Sequence, residues 1–352
     1  MRLLRQTCDR ITQVDAETGA QTQRLLDLKT KPRQSLGRLE ELACRIAGIR
    51  GIVVPSLPCK AIVVMAADHG VAEEGVSAYP SEVTGQMLLN FASGGAAINV
   101  LARRAGAEVV VVDMGVKEAV PTTEGIRCQR LGPGTANFTR GPAMSRETAT
   151  RAVEVGIGLA EELTRDGITL LGIGDMGIAN TTASSALAAA YTGSDPDDVT
   201  GRGTGIDDET YARKLAVVRR GLALHPPDPQ DPLDTLARLG GFEIAGLAGV
   251  VLGGAAAKVP VVLDGYITSV AALAAVRLAP QAARYLIASH RSVEKGHRVV
   301  LEALGAKPLL DLDLRLGEGT GSALALGLVD AALLILHEMA TFESAGVTDS
   351  GA

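Results

Sequence analysis

The sequence predicts an α/β protein, a parallel sheet flanked by helices, and three observations lead there. From about residue 60 onward, short continuous apolar runs alternate with longer Ala-rich stretches of helical character. Each run ends in a polar, usually Gly-bearing loop. The chain is 47% hydrophobic but only 3% aromatic and lacks Trp, so Ala, Val, Leu and Ile must build the core. Small side chains and 41 glycines suit helices lying close on a sheet. With 352 residues there is room for one large domain, or a large one and a small one.

Taken in order, residues 35–50 read as an amphipathic helix. Ser35 can cap it, and Leu39, Leu42, Ile46 and Ile49 recur at helical spacing. Lys31-Pro32 ends whatever precedes it. Five strand candidates follow: Ala61–Ala66, Val109–Val112, Ile168–Ile173, Val259–Leu263 and Tyr285–Ala288. A sixth, weaker one is Pro308–Leu316. The Pro-rich stretch from His225 to Pro232 is a loop. The apolar run Ile244–Ala257 falls short of the roughly 20 residues a membrane span needs. A second run near the C-terminus is broken by Asp330 and His337, and both runs read as buried helices. No long apolar segment follows Met1, so no signal peptide is expected.

Charge and cysteine usage narrow the function classes. The net charge is −6, with mixed signs and no basic block, which argues against nucleic acid as a partner. Cys8, Cys44, Cys59 and Cys128 match neither a metal knuckle nor a compact disulfide framework, so reduced thiols in the cytoplasm are expected. Asp68, His69, His290 and His297 do not have the spacing of a zinc or iron site; a loop-orienting role for Asp68 and His69 is expected, and no metal.

The loops after the runs carry the chemistry. Ligands of open parallel sheets bind outside the carboxyl ends of the strands. Those ends would present Asp68-His69-Gly70, Asp113-Met114-Gly115, Gly174-Asp175-Met176-Gly177, Asp264-Gly265-Tyr266, Ser289-His290-Arg291-Ser292 and Gly317-Glu318-Gly319. Six such loops on one edge would make one composite site. Gly172 to Gly177 also fits the G-x-G-x-x-G dinucleotide fingerprint, which raises a nicotinamide-dependent dehydrogenase as the rival reading. Two features count against it. Asp175 would put a carboxylate in the turn that receives a pyrophosphate. The acidic residue at the expected distance, Asp195, lies in a turn. A phosphate at the next helix start, with Asn180, Thr181 and Thr182, fits better.

A second Gly-rich loop runs from Gly201 to Asp207, where Asp207 can cap a helix whose buried stripe would be Tyr211, Leu215, Val218 and Leu222. Its amides, with Lys214 reaching from that helix, could hold a phosphate; the plain alternative is an ordinary loop beside a solvated lysine. Gly317-Glu318-Gly319-Thr320-Gly321 sets one carboxylate among glycines. By itself it reads as an exposed Glu in a turn, but in a partly dry cleft it could act as a general base.

Seven motifs in order resemble the nicotinate-nucleotide–dimethylbenzimidazole phosphoribosyltransferase (CobT) family along almost the whole chain. They are Lys31–Glu40, Ala67–Val71, Gly174–Thr182, Gly203–Asp208, Leu263–Tyr266, Ser289–Glu294 and Leu314–Gly321. The resemblance implies a Rossmann-like large domain, here residues 51–321. It also implies a small helical domain from both chain ends, residues 1–50 and 322–352, and a homodimer. The substrates it implies are nicotinate mononucleotide and a benzimidazole-type base, without a cofactor, nucleic acid or membrane. Glu318 falls on the family's catalytic base. Asp175 stands where the family usually has Glu and would assist. The implied nucleotide and phosphate contacts are Gly174, Gly177, Asn180, Thr181, Gly203, Thr204, Gly205, Lys214, Asp264 and Ser292. Ser77, Tyr79, Pro80, Met87 and Leu316 are the candidates for the base pocket. A third reading, a nucleotide-binding regulator that has lost turnover, rests on Asp175 alone.

Overall fold

A computed structural model describes residues 2–121, 123–203 and 205–348. Its centre is a six-stranded, all-parallel sheet of order β3-β2-β1-β4-β5-β6. The strands are β1 Lys60–Ala67, β2 Ala107–Gly115, β3 Ile126–Cys128, β4 Leu170–Met176, β5 Val261–Leu263 and β6 Leu286–Ala288. The five firm strand candidates are all present, three of them starting one or two residues later than expected.

The sixth candidate is not a strand. Pro308–Leu316 makes one isolated bridge, Leu310 to His290, and otherwise runs irregularly. Its Asp311 and Asp313 are exposed, and Asp313 has φ 54, which breaks an extended run. The sixth strand is instead the three-residue β3 at the far edge beside β2. The first expected helix also starts late, as Arg38–Arg50. Ser35 does not cap it: Gly37 is the cap, and the Leu36 amide donates to Glu40 Oε1 at 3.0 Å.

β1 shows why the apolar runs are unbroken. Ala61, Val63, Met65 and Ala67 enter one core cluster; Ile62, Val64 and Ala66 enter the other, on the opposite face. On the first face, the helices Arg146–Arg165 and Phe242–Ala256 press together through glycine. A Cβ at Gly156 would lie 1.8 Å from the Gly246 carbonyl oxygen, and one at Gly249 2.0 Å from that of Val153. On the second face lies Thr320–Glu338, the described helix long and apolar enough to cross a membrane; here it packs on β4 and β5. Arg38–Arg50 packs between Ala16–Asp27 and Thr320–Glu338, and the Thr30 amide donates to the Ala340 carbonyl at 3.0 Å, so both chain ends meet.

Strand order reverses direction between β1 and β4. There the connections leave to opposite sides, and a crevice opens at the carboxyl ends. Met65 and Ala66 lie beside Asp175 and Met176 at that point.

Candidate active site

The dinucleotide fingerprint does not form. Gly172 and Gly174 lie inside β4, paired with Ile62 and Val64, and Asp175 belongs to the strand rather than to a turn. The turn comes later, at 177–179, where Ala179 takes φ 72 before the helix Asn180–Thr192. Gly174 serves another end: a Cβ there would lie 2.4 Å from the Gly319 nitrogen, so only Gly lets the 317–319 turn close over β4.

In that turn Gly317, Glu318 and Gly319 have φ 83, 64 and 90, three left-handed residues in a row. A non-Gly residue in that region costs on the order of 1–3 kcal/mol and is held only by its surroundings. The Glu318 amide donates to the Asp175 carbonyl at 3.2 Å, and the Gly319 and Gly321 amides donate to Asp264 at 2.8 and 2.7 Å. Glu318 is therefore not an exposed turn residue; it is 7% exposed, the Ile98 amide donates to its carboxylate, and Oε2 has no partner. Burial raises its pKa above the ordinary glutamate value, with the Ile98 amide opposing.

Asp175 Oδ2 accepts from Asn180 Nδ2 at 2.9 Å, while the buried Oδ1 is unpaired. Burial first, then the charges of Asp264 and Glu243, with Glu318 adding less, push its pKa well up. Asp264 is also buried and is pushed up to about 7; burial leads, the amides of Gly319, Gly321 and Ser322 oppose, and Glu318 adds to the rise. Three carboxyls thus share the end of β4 and β5, and their mutual repulsion favours protons on some of them.

A second cluster sits at the next helix. Lys214, on Asp208–Leu224, is 1% exposed, which overturns the reading of a solvated lysine. The buried positions are Lys214, Val217, Val218 and Gly221; of the expected stripe Tyr211, Leu215, Val218 and Leu222, only Val218 is fully buried. Asp207 caps this helix as expected, accepting from the Thr210 amide at 2.8 Å. Lys214 Nζ donates to Thr181 Oγ1 at 2.9 Å, and a Cβ at Gly203 would lie 3.0 Å from that oxygen and 3.4 Å from Nζ. Burial lowers the Lys214 pKa to about 8, with Glu294 opposing. Gly205 (φ 98) follows in the same loop, and Thr204 lies outside the described residues.

Ser292 is fixed by a buried histidine. Its amide donates to His297 Nδ1 at 2.9 Å, so the ring proton is on Nε2 and faces Ser269 Oγ at 2.9 Å. Burial, then His290, pulls the His297 pKa down to about 3, which keeps that tautomer neutral. Of the base-pocket candidates, Ser77 is half-buried, its Oγ accepting from the Tyr79 amide at 3.3 Å. Met87 packs against the second core cluster. Pro80 is exposed, as are Tyr79 and Leu316 at 53% and 58%.

Sequence reasoning missed Glu243. It is fully buried at the head of Phe242–Ala256, and its Oε1 meets His69 Nε2 at 2.7 Å while Oε2 is unpaired. Burial alone would lower the His69 pKa, but Glu243 and Asp68 outweigh it and raise the value. A Cβ at Gly177 would lie 3.4 Å from both partners, which ties this pair to the β4 turn. The signal was available: a lone carboxylate opening an otherwise apolar helix. Asp68 orients a loop as expected, accepting from Thr84 Oγ1 and the Lys117 amide, both at 2.7 Å.

Comparison with known proteins supplies the family. A phosphoribosyltransferase family model covers residues 11–347. A nicotinate-nucleotide–dimethylbenzimidazole phosphoribosyltransferase of Chloroflexus aggregans is 57% identical over 349 residues, 99% of either chain. One of Geobacter sulfurreducens is 56% identical over the same span and coverage. The crystal structure of the Thermus thermophilus enzyme superposes with a TM-score of 0.90 at 50% identity, covering 96% of this chain and 100% of that one. Matched by this family model over residues 11–347 and by relatives 56–57% identical over 99% of its length, the chain belongs to the nicotinate-nucleotide–dimethylbenzimidazole phosphoribosyltransferase family.

Proposed function

We propose that this chain transfers phosphoribose from nicotinate mononucleotide to 5,6-dimethylbenzimidazole or a related base. The products are α-ribazole 5′-phosphate and nicotinate, for the lower ligand of cobalamin. The observation that carries the assignment of roles is the buried, unpaired Oε2 of Glu318 in a strained Gly-flanked turn at the sheet's switch point. One imidazole nitrogen of the acceptor attacks the anomeric carbon, and a C–N bond forms there. The bond to the pyridinium nitrogen breaks, and its electron pair neutralises that ring, so the leaving group needs no acid. Glu318 takes the proton from the other imidazole nitrogen as positive charge develops. Attack from the opposite face turns a β-nucleotide into an α-riboside.

Lys214, Thr181 and Gly203, with Gly205 and the helix start at Gly177 and Asn180, hold the phosphate, largely a positional contribution. Asp264 and Ser292 line the nucleotide side, and Ser77, Tyr79, Pro80, Met87 and Leu316 the base side. Asp175, its pKa raised, assists as a neutral neighbour rather than a competing base. A homodimer in the cytoplasm fits this reading, as does a small helical domain of residues 1–50 and 322–352 beside a large one of 51–321. Incubation with nicotinate mononucleotide and dimethylbenzimidazole should release nicotinate and form the α-riboside. Saturable donor binding with no product under a panel of benzimidazole, purine and phenolic acceptors would instead mark a regulator.

A further inference from the structure

Away from the carboxylate turn, two clefts of about 450 and 810 Å³ open beside edge strand β6 and share Val14, Ala16 and Arg45. The smaller is lined by Arg38, Arg45 and Lys307 with Asp15 and Glu41, the larger by Arg45 and Arg284, so cations outnumber carboxylates across the two. Arg38 is neutralised, with Nη1 on Glu41 at 2.6 Å and Nη2 on the Lys307 carbonyl at 2.7 Å. Asp15 is also engaged, capping Ala16–Asp27 through the Thr18 amide at 3.0 Å and hydroxyl at 2.7 Å. Arg45, Arg284 and Lys307 remain. Among the described residues none of the three has a carboxylate within 4.0 Å, and Arg45 makes one long bond, Nη2 to the Ala283 carbonyl at 3.4 Å. Arg45 is exposed, yet the protein packed around it first, and then Arg38 and Arg284, lowers its pKa, with Glu41 opposing.

The floor of the smaller cleft is apolar, formed by Leu42, Leu286, Ile287 and Leu309. Its volume is within the range of about 300–1,000 Å³ typical of small-molecule sites. An apolar floor flanked by Arg45 and Lys307, with Arg284 on the adjoining larger cleft, suits an anionic head group joined to a flat or apolar body. Carboxylate and phosphate are the groups that match guanidinium forks, and three cations without partners favour the higher charge of phosphate.

We propose that the two adjoining clefts form a second anion site, separate from the Lys214 cluster, taking the phosphate or pyrophosphate group of a small molecule at Arg45, where they meet, with Lys307 on the smaller cleft and Arg284 on the larger. It has a route to the catalytic edge. The Leu309 amide, on the cleft wall, donates to the Ala288 and Ser289 carbonyls at 3.1 Å each, and Ser289 opens the loop that carries Ser292. A ligand here would therefore press on that loop from outside the active site.

Calorimetric titration with inorganic pyrophosphate tests this on three full-length proteins. Wild type should show two classes of site. Lys214→Ala should keep the cleft class and lose the other. Arg45→Gln/Arg284→Gln should weaken the cleft class by about tenfold or more, the loss expected for a charged hydrogen bond, and leave nicotinate mononucleotide affinity unchanged as the check on folding. The proposal is overturned if Lys214→Ala abolishes all pyrophosphate binding, or if the double variant binds as wild type does. It is also overturned if the double variant changes oligomeric state in sedimentation with no cleft class in wild type, which would make the face a contact between copies.

Discussion

At the scale of residues, the proposed chemistry rests on groups whose surroundings contradict their types. Glu318 is a carboxylate kept from water with one oxygen unpaired, and Lys214 is an ammonium almost wholly enclosed. Both identities were legible as motif positions; their burial was not, because Gly-flanked polar residues look alike in a solvated loop and in a closed one. Asp175 was legible as a departure from the Glu that the resemblance implies, but the burial, and then the repulsion from Asp264 and Glu243, that raise its pKa need three dimensions. These environments set the pH response. In its proposed role Glu318 must be ionised to accept a proton, so kcat/KM for the donor should fall on the acid side, through a pKa above the ordinary glutamate value. As the proposed phosphate ligand Lys214 must be protonated, and its lowered value, about 8, puts the expected alkaline fall near pH 8 in the free enzyme. Lys214→Ala should remove that alkaline limb and weaken donor binding roughly ten- to hundredfold, the worth of a charged hydrogen bond of about 1.5–3 kcal/mol. Steady-state rates across pH 5–10 on the two proteins check both points; an alkaline limb that persists in the variant would remove Lys214 from the phosphate site.

Elements are positioned by small residues more than by large ones. The contact of Arg146–Arg165 with Phe242–Ala256 leaves no space for a methyl group at Gly156, where a Cβ would meet backbone at 1.8 Å. Gly156→Ala must therefore push the helices apart and with them Glu243, at the head of the second helix, whose carboxylate pairs with His69. Overpacking of this kind costs about 1–3 kcal/mol, so the urea midpoint should drop with the slope unchanged. An unchanged midpoint would mean that the two helices slide freely. The periodicity of the sequence located β1, β2, β4, β5 and β6 because each is an apolar run buried on both faces. β3 escaped because it is three residues long and partly exposed, carrying Arg127 and Cys128. Pro308–Leu316 misled in the other direction: alternating Leu and Asp look like a half-buried strand, yet the segment forms an isolated bridge at Leu310 and scattered backbone bonds at Leu309 and Leu314 rather than a ladder.

For the molecule as a whole, one topological fact organises the site. The sheet order β3-β2-β1-β4-β5-β6 puts the switch point at β1 and β4, and the carboxylate turn that follows the last loop returns to lie over β4. Five of the six polar loops read in the sequence gather on one edge because the strands they follow are parallel; the sixth, 317–319, follows no strand and is held there by its amide bonds to Asp175 and Asp264. Strand order itself was not legible, because the pattern of runs and helices is the same for any doubly wound sheet. The central claim is that within this edge Glu318, and not its neighbour Asp175, takes the acceptor's proton. The most direct measurement is the single-turnover rate of Glu318→Gln beside Asp175→Asn, with nicotinate mononucleotide affinity measured on both. Glu318→Gln should lose about 10²–10⁴-fold in rate while binding the donor as before, and Asp175→Asn should lose less, because a neutral amide resembles a protonated Asp175. Abolished turnover in Asp175→Asn with near wild-type turnover in Glu318→Gln would contradict the account.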